Sequence, residues 1–135
     1  MAIDKKNRKA FQECLRQKKD IEAKYDWCKC KILCRNTLIC SGYIKPDESS
    51  PNYKIKLRYK YGKEPSVYII EPEIKKVSAT HVYKEGCLCL YYPKEQPWST
   101  DHLIADTIIP WTAEWLLYYE LYLITGKWEG PEVSH

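Results

Sequence analysis

The run Tyr53-Lys54-Ile55-Lys56-Leu57-Arg58-Tyr59-Lys60-Tyr61 alternates apolar and basic residues without a break. That period of two is the signature of a β-strand with one face buried and one face wet. It fixes the fold class, because the same pattern extends in both directions. Upstream, Cys28, Cys30, Ile32 and Cys34 alternate with Lys29, Lys31 and Arg35. A second strand is expected over Leu38–Ile44, and Pro46-Asp47-Glu48-Ser49-Ser50-Pro51-Asn52 is a loop by its turn chemistry. Downstream, Tyr61-Gly62-Lys63-Glu64-Pro65 makes a turn, and Val67–Ile70 is a fourth strand closed by Pro72. Four sequential strands with short links predict an antiparallel meander.

Helices flank this sheet. Residues 2–25 hold no Pro or Gly, and Ile3, Ala10, Phe11, Cys14, Leu15, Ile21 and Tyr25 recur at helical spacing among Lys and Arg. Near the other end, Ser99 or Thr100 is placed to cap a helix with Asp101 in its first turn and Ile104, Ile108 and Ile109 as its buried stripe. Pro110 should kink or restart that helix. Trp111, Trp115, Tyr118, Tyr119 and Tyr122 then form an aromatic stripe ending at Gly126, a C-cap. The expected class is α+β, with residues 1–135 as a single domain.

A chain of 135 residues hides roughly two thirds of its unfolded surface on folding. The net charge of +4 is local: residues 1–25 carry eight Lys and Arg against four Asp and Glu, while the rest balance. So small an excess fits a solvated helix face. The twelve tyrosines lie mostly at inward strand positions or on the helical stripe, so nucleic acid is not an expected partner. No apolar run of membrane-spanning length and no secretory signal pattern occur, so no membrane association and a cytoplasmic location are expected. Seven cysteines in that setting read as reduced thiols rather than a disulfide framework. The series Cys28-x-Cys30-x3-Cys34-x5-Cys40 lacks paired Cys-x2-Cys knuckles, and strand alternation accounts for three of the four as inward positions. No metal and no cofactor are expected.

The chemistry concentrates in His81-Val82-Tyr83-Lys84-Glu85-Gly86-Cys87-Leu88-Cys89-Leu90, running on to Trp98-Ser99. It sets a histidine, a turn glycine and two cysteines on a connection between strand-like and helical sequence. Ubiquitin-conjugating enzymes carry a His-Pro-Asn block, then Gly-x-x-Cys-Leu with the thioester-forming cysteine, then a tryptophan opening a helix. His81, Gly86, Cys89-Leu90 and Trp98 resemble that order, with Val82 and Tyr83 standing where the family has Pro and Asn. The Leu-Cys-Leu-Tyr-Tyr-Pro run, Pro110-Trp111, the aromatic stretch from Trp115 to Tyr122 and Gly126-Lys127-Trp128-Glu129-Gly130 resemble the bacterial ubiquitin-conjugating-like proteins of CBASS antiphage operons.

The resemblance implies the ubiquitin-conjugating fold and a transferase with a cysteine thioester intermediate. It implies that Cys89 links the C-terminal tail of a cGAS-like nucleotidyltransferase and passes it to an amine, regulating antiphage signalling. An activating enzyme docking on the N-terminal helix is the further partner it implies. Other readings of the residues are a conjugating enzyme for a bacterial ubiquitin-like protein and a non-catalytic fold that binds a partner's tail. In the expected site, Cys89 is the nucleophile. By resemblance His81 shapes the loop through backbone hydrogen bonds. The Tyr83 hydroxyl is placed to donate to the oxyanion, against the plainer role of ring packing. Asp101 and His102 are candidates to orient or deprotonate an incoming lysine, against that of water-exposed helix-start residues. Cys87 is expected to pack or to capture oxidant. His135 is either a frayed end or, by resemblance, a residue returning to the site.

Overall fold

The computed structural model describes residues 5–74, 82–83, 85–90 and 98–130. Helix α1 spans Lys5–Lys24, and strands β1 (Cys28–Leu33), β2 (Thr37–Ile44), β3 (Tyr53–Lys60) and β4 (Ser66–Glu71) follow before helix α2 (Ile108–Thr125). The strands pair antiparallel in the order β1-β2-β3-β4. This is the expected meander, and with its two helices the molecule is α+β, consistent with a ubiquitin-conjugating-like fold. Ile3 and His135 lie outside the described residues.

β3 carries the strictest alternation, and it sits in the interior of the sheet. Tyr53, Ile55, Leu57 and Tyr59 are each at most 2% exposed. Each aliphatic side chain so buried contributes about 1.5–3 kcal/mol by area. The intervening basic residues face water, so a slip of one residue would bury Lys56 and Arg58.

α1 packs on this sheet through Ala10, Cys14, Gln17 and Ile21, its buried stripe. The glutamine is the member that a polarity pattern misses. At the other end α2 buries Ile108, Ile109, Thr112, Trp115, Leu116 and Tyr119. Glu120 of α2 accepts hydrogen bonds from Tyr53 Oη at 2.9 Å and from Ser50 Oγ at 3.0 Å, tying the helix to β3 and to the loop before it. Trp128 folds back on Trp115, Tyr118 and Tyr122 with ring centroids 5.4–6.3 Å apart. Gly126 ends the helix in the left-handed region at φ 77° and donates to the Tyr122 carbonyl.

Three expectations change. Cys34 is not an inward strand residue: with Arg35 it occupies the left-handed region in the tight turn between β1 and β2, and it is exposed. The stretch from Ser99 to Thr107 forms turns rather than a helix, and α2 begins two residues before Pro110. The proline thus sits in the first turn, where its missing N–H costs nothing. Finally, Cys30 and Cys40 are joined in a disulfide, against the expectation of reduced thiols throughout. They are direct partners in the β1–β2 register, a relation that alternation along one strand does not reveal.

Candidate functional site

Tyr83, Cys87 and Cys89 sit on a hairpin-like excursion anchored to the edge of the sheet. The Leu88 N–H donates to the Val67 carbonyl at 2.9 Å, which fastens the segment to β4. Val82 and Leu88 pair antiparallel, the Tyr83 N–H donates to the Cys87 carbonyl, and the Gly86 N–H donates to the Tyr83 carbonyl, both at 2.8 Å. Gly86 has φ 95°, a conformation that closes the turn and that a side chain would strain. This glycine therefore fixes where Tyr83 stands relative to the two cysteines.

Leu88 plugs the core at 5% exposure and Cys89 is 6% exposed. Burial foremost, then the charges of Cys87 and Glu85, push the Cys89 thiol up to about 12. Cys87 is half-buried, and its thiol is raised by burial against an opposing hydrogen bond with Ser66. Tyr83 is half-buried too; its phenol is raised by burial first and by the neighbouring Cys89 charge second. Tyr83 and Cys89 are thus electrostatic neighbours on one anchored turn. A groove of 510 Å³ opens beside them between the β3–β4 turn and the Gly86 turn, lined by Lys63, Glu64, Tyr68, Tyr83, Glu85 and Cys87 among others. Cys87 is among the residues lining that groove, and Cys89 is not.

Asp101 and His102 are held from a different direction. Gln17 Nε2 donates to the His102 carbonyl at 3.0 Å, and Gln17 Oε1 accepts from the Ile104 N–H at 2.9 Å. Arg16 Nη2 donates to the Thr100 carbonyl, Tyr25 Oη donates to the Ala105 carbonyl at 2.8 Å, and Lys24 pairs with Asp106 at 2.8 Å. The second half of α1, with Tyr25 just after it, therefore clamps the turn region 100–106. The His102 ring lies 5.6 Å from that of Trp98, which meets Tyr59 edge-on at the same separation. Asp101 is exposed and His102 half-buried. The Asp101 N–H donates to Ser99 Oγ at 3.3 Å and the His102 N–H to the Ser99 carbonyl at 3.1 Å, so a cap-like turn at Ser99 and the contacts from α1 position the pair together.

His81 lies outside the described residues. The residues that sequence reasoning missed are Gln17, Arg16 and Tyr25, which place the Asp101–His102 turn. The break in polarity at Gln17 within an otherwise apolar stripe was the available signal. Away from this site, the sulfur atoms of Cys28, Cys30 and Cys40 lie within 4.8 Å of one another, a set able to hold a metal ion. No helix among the described residues is long and apolar enough to cross a membrane.

Comparison with known families matches residues 17–135 to the family described as Type II CBASS E2 protein. No curated protein matches the chain significantly.

Proposed function

The chain belongs to the Type II CBASS E2 family of conjugating-enzyme-like proteins of antiviral defence, and from that membership we propose that Cys89 carries the C-terminus of a cGAS-like nucleotidyltransferase as a thioester. The Cys89 sulfur attacks the activated C-terminal carbonyl of the donor, and the new C–S bond replaces the bond to the leaving group. An amine then attacks the same carbonyl, the C–N bond forms, and the sulfur departs to regain its proton. The cytoplasm is where both partners meet.

The observation that carries this reading is the Gly86 turn, which folds the segment bearing Tyr83 back along the one bearing Cys87 and Cys89. Tyr83 then supplies the oxyanion donor in place of the family's asparagine. Burial holds Cys89 as a thiol, so its proton must be drawn off as the sulfur attacks, and the amine that later displaces the sulfur has to be held in line. Asp101 and His102, clamped by α1, orient that amine, and His81 shapes the loop. A partner supplies the activated donor through the outer face of α1.

The placement of Cys87 in the groove favours one competing reading, in which Cys87 receives the acyl group. Intact mass spectrometry of the chain co-expressed with the donor separates the two, with wild type beside Cys89→Ala and Cys87→Ala. The proposal expects an adduct that hydroxylamine removes and that only Cys89→Ala abolishes. Loss with Cys87→Ala alone moves the carrier to Cys87. Co-purification of the donor without any adduct refutes both and leaves a binding fold.

A further inference from the structure

The three sulfurs on the far side of the sheet are not used by the thioester chemistry. Cys28 and Cys30 are two residues apart on β1 and share a face, and Cys40 of β2 is the direct partner of Cys30. Cys28 is 2% exposed and Cys40 1%, while Cys30 is half-buried. All three sulfur atoms lie within 4.8 Å of one another. Cys34, the fourth cysteine of the sequence series, is excluded by its turn conformation and faces water.

We propose that in the reduced chain Cys28, Cys30 and Cys40 form a three-thiolate site for a zinc ion, and that the Cys30–Cys40 disulfide is the closed form of that site. Zinc–sulfur bonds of about 2.3 Å put the ligating sulfurs of a tetrahedral site roughly 3.8 Å apart, so three sulfurs within 4.8 Å need only side-chain rotation once the disulfide has opened. Three soft thiolates select zinc over magnesium or calcium. Because they come from two neighbouring strands of a rigid ladder, the ligands are gathered before the ion arrives. Cys30, the one partly exposed member of the three, gives an entry path. The Cys30 backbone N–H is held by Glu22 Oε2 of α1 at 2.9 Å, which fixes the strand from the helix side.

The chemistry balances as follows. A phosphine or dithiol reductant delivers two electrons, and two protons convert the disulfide into two thiols. Zinc then displaces three thiol protons as three Zn–S bonds form.

Cobalt(II) is the probe, because its sulfur charge-transfer bands in the near ultraviolet and its visible ligand-field bands report tetrahedral thiolate ligation. The full chain, reduced with a phosphine, should take up one cobalt that zinc displaces, and the chain with its disulfide kept intact should take up none. Cys28→Ser and Cys40→Ser should each weaken binding at least tenfold, while Cys14→Ser and Cys34→Ser should leave it unchanged. A variant that fails to fold is replaced by the corresponding alanine. Alkylation of the wild-type chain gives a readout free of variants, since zinc should shield all three cysteines together. Absence of charge-transfer bands from the reduced wild type overturns the proposal. So do bands that persist undiminished in Cys28→Ser and Cys40→Ser.

Discussion

Replacing Gln17 with methionine tests the clamp that α1 places on the Asp101–His102 turn. Methionine keeps the volume and the helix propensity, so the change removes polarity and little else. Three hydrogen bonds disappear: Nε2 to Glu13 Oε2 at 3.1 Å, Nε2 to the His102 carbonyl, and the Ile104 N–H to Oε1. Gln17 is fully buried, so the Ile104 N–H and the His102 carbonyl lose their partners in a place that water does not replace. Each orphaned backbone group costs about 1–3 kcal/mol. The Glu13 carboxylate keeps its ion pair with Arg16, so its loss counts for little. The two together amount to a loss of roughly 2–6 kcal/mol, a large fraction of the stability of a domain this size. Urea unfolding should show a lower midpoint at unchanged slope. Hydrogen exchange should show the amides of 102–106 speeding up markedly, while the β3 amides speed up by no more than the global loss of stability requires. A loss below ~1 kcal/mol with exchange in that turn unaltered would mean that Gln17 merely fills space.

Gly42→Ala should destabilise by about 2 kcal/mol or more, because a β-carbon there runs into the Trp27 backbone carbonyl and ring; a silent substitution in thermal unfolding would contradict the close approach. Tyr53→Phe, which frees one oxygen of Glu120, should cost about 1–2 kcal/mol in urea unfolding, and Glu120→Gln should cost less because Ser50 and Tyr53 can still be served by an amide. Stability should fall on the alkaline side: Cys14 is raised to about 11, and Tyr59 and Cys89 to about 12, mainly by burial. Each such proton stays on in the folded state after the unfolded chain has released it. Stability is therefore complete below the unfolded values and declines as pH climbs toward the folded ones, by up to ~1.4 kcal/mol per unit for each group. Tyr59→Phe should flatten that decline between pH 10 and 11, and an equally steep slope would show that Tyr59 titrates normally.

What was legible in the chain follows from the range of the forces involved. β3 and α1 could be read because their patterns are local: a side chain two or four residues away shares the face. The disulfide between Cys30 and Cys40 could not, because it depends on which residue of β2 stands opposite Cys30, and register is set by pairing. The stretch 99–107 was misjudged for a related reason. Its composition satisfies the rules for a helix start, but the Thr100, His102 and Ala105 carbonyls and the Ile104 amide are bonded to side chains of α1 and of Tyr25 just after it. Tertiary partners eighty or more residues away took groups that a local helix would have used. At the proposed site, the turn at Gly86 was recognisable from the sequence, and it is present. That Cys89 turns inward and Cys87 lines the groove depends on the tether from Leu88 to Val67, which no spacing encodes.

In the proposed reading, the same clamp bears on how a partner docked on α1 would reach the chemistry. The buried stripe of α1 is fully engaged by the sheet and by the 100–106 turn, so a partner reads only the outer, basic face. Arg16 stands at the border of the two: its side chain is 43% exposed, pairs with Glu13, and donates to the Thr100 carbonyl one residue before Asp101. A partner carboxylate that captures the Arg16 guanidinium must break the hydrogen bond to Thr100, while Gln17 one residue along continues to hold His102 and Ile104. Docking would then loosen Asp101 without releasing His102. The bonding pattern predicts that Arg16→Ala shifts the amide and side-chain signals of Thr100 and Asp101 but spares those of His102 and Ile104. Equal shifts across all four would show that Arg16 and Gln17 act as one unit.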